Sequence, residues 1–191
     1  VRLWDLDGKA ISEFHAHEET IDGVSFSSDG QLLATVARDR TAKVWTNSTH
    51  ELVASFDNVR DHRIVFTPDD LSIITVGFDD VPLGRNVASG RPLLLPESMD
   101  KTRDILYSPD GTIVATAHSD GQVKLWNAET WKSLKRRPMR HLLEVNCVRF
   151  SRDGSLLASG GADGIIKVWE TATGRLLVRF TVSRDTDLSS Q

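Results

Sequence analysis

The sequence predicts an all-β fold assembled from small antiparallel sheets, and three observations carry that expectation. Four stretches align on one another: "FSSDGQLLATVARDRTAKVW" from Phe26, "FTPDDLSIITVGFDDVPLGR" from Phe66, "YSPDGTIVATAHSDGQVKLW" from Tyr107 and "FSRDGSLLASGGADGIIKVW" from Phe150. Their aromatic starts lie 40, 41 and 43 residues apart, and their ends, Trp45, Arg85, Trp126 and Trp169, keep the same intervals. Apolar runs rich in β-branched and aromatic residues alternate with Asp-Gly or Ser-Pro-Asp turns, and no helical periodicity reaches the length of an ordinary helix.

Each unit reads as four strands in order. "IDGVSF" and "EVNCVRF" are first strands, "LLATVA" is a second, "AKVW" a third, and "HELVASF", "RPLLL" and "RLLVRF" supply the fourth after the unit's end. Trp4 precedes Trp45 by 41 residues, so the chain opens in the tail of a fifth unit. The expected segments are a partial unit over 1–13, full units over 14–56, 57–97, 98–137 and 138–182, and a tail over 183–191. Four short strands cannot bury both faces of their sheet alone, so such units stack face to face around an axis, as blades of a β-propeller. Because "VRLWD" opens in mid-pattern, the expectation is an incomplete ring or a fragment of a larger propeller, with open edges available for self-association.

The unit resembles that of the WD-repeat family over roughly residues 1–182. That family carries a Gly-His near the start of each unit, a "V-x-x-V-x-F-S-P-D-G" segment, an Asp in the turn between the second and third strands, and Trp-Asp closing the third. This chain supplies "HEETIDGVSFSSDG" from His17, "HLLEVNCVRFSRDG" from His141, the turn residues Asp39, Asp79, Asp120 and Asp163, and Trp4-Asp5. The resemblance implies a hydrogen-bonded network inside each blade. One would join His17, Thr35, Asp39 and Trp45, another His141, Ser159, Asp163 and Trp169. The unit ending at Trp126 keeps Thr116 and Asp120 but has Ser98 at the histidine position, so its network is expected to be incomplete or water-filled. The unit ending at Arg85 lacks both His and Trp and places Pro82 inside its third strand, where a proline cannot donate to the ladder. Distortion is expected there.

His, Ser and Asp together also suit a serine hydrolase, but a nucleophile sits on a strained turn such as G-x-S-x-G. Thr35, Thr75, Thr116 and Ser159 instead share one repeated strand position, so catalysis is not expected. "HAH" at His15–His17 offers two imidazoles to a metal and "DLDG" from Asp5 resembles the start of a calcium loop; neither has further ligands at the required spacing. "NST" at Asn47 matches a glycosylation sequon, and turn chemistry explains it equally well. No P-loop, dinucleotide glycine fingerprint, CxxC or HExxH occurs, so no cofactor is expected. The Arg that docks a ubiquitin-ligase scaffold after Trp-Asp in some family members is missing from "WDLD", "WTNS", "WNAE" and "WETA".

Charged residues make up 26% of the chain and the formal net charge is −4, a field that does not attract nucleic acid or anionic membrane. No apolar run approaches the roughly 18 residues of a membrane helix, so no membrane partner is expected. The single cysteine, Cys147, excludes an internal disulfide and fits a reducing compartment, the cytoplasm. The resemblance then implies a non-catalytic scaffold for other proteins or peptides, forming the C-terminal part of a larger multidomain signalling or assembly protein. In the family, contacts concentrate on the loops leading into the first strand and on the turn between the second and third. Carried over by position these are Asp22, His62, Arg103 and Asn146, and Arg38, Phe78, Ser119 and Ala162, with Arg38, Phe78 and Arg103 the foremost anchors. The alternatives are a propeller-fold hydrolase, or nucleic-acid or phosphate binding through the basic segment Lys132–Arg140, read as a solvated loop between blades.

Overall fold

Turn residues and β-branched runs divide the chain into short strands, and the computed structural model describes residues 1–59, 61–77 and 81–181. Phe78, Asp79 and the tail 183–191 lie outside the described residues. Strands β1 (Arg2–Trp4) and β2 (Ala10–Glu13) form a two-stranded antiparallel sheet. Four four-stranded antiparallel sheets follow, each in sequential order. The first comprises β3 (Ile21–Phe26), β4 (Leu32–Ala37), β5 (Thr41–Thr46) and β6 (Leu52–Asp57). The second comprises β7 (Asp61–Phe66), β8 (Ser72–Gly77), β9 (Leu83–Asn86) and β10 (Pro92–Leu93). The third holds β11 (Thr102–Tyr107), β12 (Ile113–His118), β13 (Gln122–Asn127) and β14 (Met139–Arg140). The fourth holds β15 (Val145–Phe150), β16 (Leu156–Gly161), β17 (Ile165–Glu170) and β18 (Arg175–Thr181). They divide into two compact units, Val1–Leu95 and the residues from Pro96 onward.

Within each unit one sheet lies on the next. In the first, Val36, Ala42 and Val44 of one sheet share a core with Ile64, Phe66 and Ile73 of the other. Gly23 permits this approach, because a Cβ there would lie 2.9 Å from the His62 carbonyl. In the second unit Ala115, Ala117 and Leu125 meet Val145, Val148 and Leu157. The buried Asp104 carboxylate also reaches across, accepting the Val148 N–H at 3.0 Å and an Arg149 Nη1–H at 2.7 Å. Each fully buried Val or Leu contributes about 1.5–3 kcal/mol, which makes this stacking the main cohesive term.

One turn recurs in all four sheets between the first and second strands. Ser27, Thr67, Ser108 and Ser151 donate their hydroxyls to Asp29, Asp69, Asp110 and Asp153 at 2.5–2.6 Å. The same hydroxyls accept the N–H of Leu32, Ser72, Ile113 and Leu156, closing the turn. Hydrogen bonds from Ser151 and Ser155 hold the Asp153 carboxyl at about 2. Gly30, Gly111 and Gly154 complete three of these turns in the left-handed region, but the second sheet places Asp70 there at φ 57°. Its carboxylate accepts the Ser28 N–H at 2.8 Å and the Ser28 hydroxyl at 2.6 Å, tying the two turns of the first unit together.

Several expectations are corrected. Pro82 does not lie inside a strand: β9 begins one residue later and is four residues long, so the ladder loses length and no donor is missing from its interior. The expected fourth strand at "RPLLL" shrinks to Pro92–Leu93. The segment Lys132–Arg140 is not a loop between sheets. Ser133 bridges to Trp126, the Leu134 N–H bonds the Leu125 carbonyl, and Met139–Arg140 is the outer strand of the third sheet. That sheet therefore runs past residue 137, because its fourth strand comes 13 residues after Trp126 rather than directly after it.

Asp70→Gly relieves the backbone but removes the link to Ser28. The expected outcome is a loss of about 1 kcal/mol in urea unfolding. A gain in stability would mean that left-handed strain outweighs the inter-turn bonds.

Candidate functional site

Two internal networks are complete and use equivalent partners. In the first sheet the Trp45 Nε1–H donates to the Thr35 hydroxyl at 3.0 Å, and that hydroxyl donates to His17 Nε2 at 2.7 Å. His17 Nδ1–H then donates to the Asp39 carboxylate at 2.9 Å, an acceptor-only partner that fixes the tautomer. In the fourth sheet Trp169 donates to Ser159 at 2.8 Å, Ser159 bonds His141 Nε2 at 2.8 Å, and His141 Nδ1–H reaches Asp163 at 3.1 Å. Lys43 and Lys167 close the same pattern by donating to the carbonyls of Ala16 and Arg140, the residue before each histidine. Burial lowers the His17 pKa against the opposing pull of Asp39. Burial works against ionisation of Asp39, but hydrogen bonds from Thr41 and His17 outweigh it and hold the carboxyl below its ordinary range. Asp163 is lowered in the same way, burial being overcome by His141 and the N–H groups of Leu142 and Ile165.

The third sheet overturns the expectation of an incomplete network. Ser98 is exposed and is not at the histidine position. Lys124 donates to the Ser98 carbonyl at 3.0 Å, so the buried Met99 occupies the place of His17 and His141. The imidazole comes instead from His118, two residues before the turn Asp120. Trp126 donates to Thr116 at 2.9 Å, the Thr116 hydroxyl bonds His118 Nε2 at 2.8 Å, and His118 Nδ1–H donates to the Asp100 carbonyl at 3.0 Å. Asp120 is left outside this chain and bonds the backbone and side-chain amides of Gln122. Complete burial, reinforced by Lys124, pushes His118 down to about 4. The equivalent residues in the other sheets are Ala37, Gly77 and Gly161, and a Cβ at Gly161 would lie 2.4 Å from His141 Nδ1. A small residue there leaves room for an imidazole from the preceding loop, whereas a histidine there supplies its own. The signal was legible as His118 at the position where the other units are small.

The hydroxyls of Thr35, Thr116 and Ser159 are buried and spent on indole and imidazole partners, which leaves no room for a substrate carbonyl. His15 lies exposed near Glu18 at 3.6 Å while His17 turns inward, which separates the two imidazoles of "HAH". Asn47 donates its side-chain amide to the Gly30 carbonyl at 3.0 Å, a turn-locking role. Asp5 accepts the N–H groups of Asp7 and Lys9, closing the "DLDG" turn.

The surface residues singled out in the sequence share a structural origin. Each first strand carries a bulge, and the inserted residue is Asp22, His62, Arg103 or Asn146. Such a bulge re-aims its side chain out of the ladder. Beside three of them the residue before the turn aspartate, Arg38, Ser119 or Ala162, bonds back to the carbonyl of Thr20, Lys101 or Glu144. Arg38 pairs with Asp22 at 3.1 Å in the first unit, and Arg103 pairs with Glu144 at 2.6 Å in the second. Asn146 and Ala162 are exposed and Ser119 is half-buried.

Residues 8–46, 95–127 and 133–170, more than half of the chain, match the family described as WD domain, G-beta repeat. THO complex subunit 3 of Arabidopsis thaliana is 26% identical over 143 residues, covering 70% of this chain and 44% of that protein. The guanine nucleotide-binding protein subunit beta-like protein of Encephalitozoon cuniculi is 27% identical over 147 residues, covering 69% and 44%. Target of rapamycin complex subunit LST8 of Saccharomyces cerevisiae is 24% identical over 134 residues, covering 66% and 44%. The chain thus spans less than half the length of these relatives. The β-propeller domain of Myceliophteria thermophila Cps50 (Swd1) aligns with a TM-score of 0.78 at 16% identity over 94% of this chain and 64% of that one, which establishes the fold.

Two outcomes follow from the networks. Ser159→Ala strands the Trp169 N–H and His141 Nε2, and chemical denaturation should register a loss of about 1–3 kcal/mol. A histidine whose folded pKa is depressed contributes stability that is full above its unfolded value and is lost as pH falls toward the folded one. For His118 that window runs from 6.5 to about 4, with a loss on the order of 3 kcal/mol. Asp39 and Asp163, both lowered, act only below the ordinary carboxylate range. Urea midpoints of His118→Gln should fall less steeply between those pH values than those of the parent chain; parallel slopes would remove His118 from the acid response.

Proposed function

The chain belongs to the WD domain, G-beta repeat family, and from that membership we propose that it is a non-catalytic scaffold binding other proteins or peptides through the bulge-and-turn surface of each unit. The observation that carries the reading is the recurrence of one device under changing side chains. The bulge stands at the same register in four sheets, yet it presents an acid, an imidazole, a guanidinium and an amide in turn. A constant backbone under varied side chains suits recognition, and it does not suit a reaction that needs one fixed constellation.

Arg38 and Arg103 are the anchors within their own units. Both are planar donors capable of bidentate contact, and both are already held in place by carboxylates. The relatives' names place THO complex subunit 3 and LST8 in multiprotein complexes. By analogy this chain acts within a larger signalling or assembly protein, and its single thiol, Cys147, is compatible with the cytoplasm.

The test is affinity purification with quantitative mass spectrometry, comparing the parent chain with Arg38→Ala, Arg103→Ala and the double variant. Proteins retained by the parent should fall about tenfold or more on the double variant while its melting temperature stays within a few degrees. Undiminished recovery on a folded double variant would show that these surfaces do not bind the partner.

A further inference from the structure

The outer strand of the third sheet is broken in the middle, and the break is lined with cations. Leu134 is tied to Leu125 by a 2.8 Å bond, and the chain rejoins β13 only where Met139 pairs with Val123. Between those anchors residues 135–138 bow away from the strand edge and enclose an open cavity of about 290 Å³. Lys135, Arg136, Arg137 and Arg140 line it, and Lys132 stands just outside. All five are exposed, and among the described residues none of their side chains forms an ion pair. No acid occurs between Glu129 and Glu144, and Glu170, which feels Arg137, is bonded to Arg175 and Thr173. In a chain of net charge −4 this is a concentrated, uncompensated positive site.

We propose that the break is a docking site for an acidic peptide segment of a protein partner, with carboxylate side chains entering between the bow and β13. Guanidinium groups match carboxylates with paired hydrogen bonds, and three of the five lining cations are arginines. The cavity, at about 290 Å³, falls just short of the roughly 300–1,000 Å³ that small-molecule sites occupy, a size suited to side chains of a peptide. Single-stranded nucleic acid would require aromatic platforms as well as charge. The neighbouring aromatic, Trp131, is committed to an edge contact with Tyr107 at 6.3 Å. Lys124 is likewise committed, to the Ser98 carbonyl. This surface is separate from the Arg38 and Arg103 surfaces, and its test leaves both of those residues unchanged.

Fluorescence anisotropy of a labelled octaglutamate peptide with the full chain reads the proposal directly. Saturable binding is expected, weakening steeply between about 50 and 200 mM salt. It should fall about tenfold in the Arg136→Glu, Arg137→Glu double variant. Lys135→Ala and Arg140→Ala, which alter exposed side chains, should each lower it about threefold and carry the test if the double variant fails to fold. Three results would overturn the proposal: no saturable binding, equal binding by folded variants, or tighter binding of an octathymidylate than of the peptide, which would assign the cations to nucleic acid.

Discussion

The buried indole N–H is the constraint on which the sheet interiors depend. Burying Trp45, Trp126 and Trp169 gains a large apolar contact but brings one donor into a dry interior. The hydroxyl on the adjacent strand accepts it, and that hydroxyl then has a proton to place. An imidazole nitrogen takes it, which leaves the other ring N–H seeking an acceptor. The sequence of obligations ends only at a carboxylate, as with Asp39 and Asp163, or at a backbone carbonyl, as with Asp100. Each step joins a different strand or loop, so satisfying one donor also fixes strand register: Trp45 stands opposite Leu33 while Thr35 stands opposite Lys43. The second sheet shows the converse. With Arg85 in place of Trp there is no indole donor, Thr75 keeps the contact with the facing strand's carbonyl, Leu83 at 3.4 Å, that Thr35 and Thr116 also make, and the guanidinium lies over Phe56 at 5.9 Å.

This constraint is chemical rather than positional, which explains what could and could not be read from the sequence. The strand order and the four turns follow from spacing, because they depend on local turn chemistry and on a period of about 41 residues, and the Trp–hydroxyl pairing is what the family resemblance implies. His118 escapes such a reading. Spacing looks for a histidine in the loop before the first strand, whereas the interior requires only an imidazole at a certain point in space. His118 reaches that point from the opposite side, and the loop position is released to Met99, which is wholly buried. Ser98 drew attention because alignment by count ignores the short 3-10 turn at Glu97–Met99, which shifts the loop by one residue.

The outer strands were hardest to anticipate for a related reason. A second or third strand has partners on both sides, so its length and register are fixed twice. An outer strand has one partner and follows the chain around it. The seven residues of β18 and the two of β14 occupy the same place in their sheets. Thirteen residues after Trp126, with a proline and four cations among them, left no apolar alternation from which an outer strand could be inferred.

Rigidity inside and latitude outside belong to one design. The completed networks tie loop, second strand and third strand together, and the Arg38, Ser119 and Ala162 amides anchor the turn beside three of the bulges to the residue preceding the first strand. Side chains at those positions are therefore presented by a backbone that does not need to reorganise on contact, which lowers the ordering cost that association must overcome. The outer strand is under no such control, and its sequence can drift toward charge without loss of core. The break beside β13 arises where that freedom is greatest: the Leu134 and Met139 anchors and a bond from the Arg137 N–H to the Thr173 carbonyl keep the backbone in place, and the exposed side chains between them are available to a ligand.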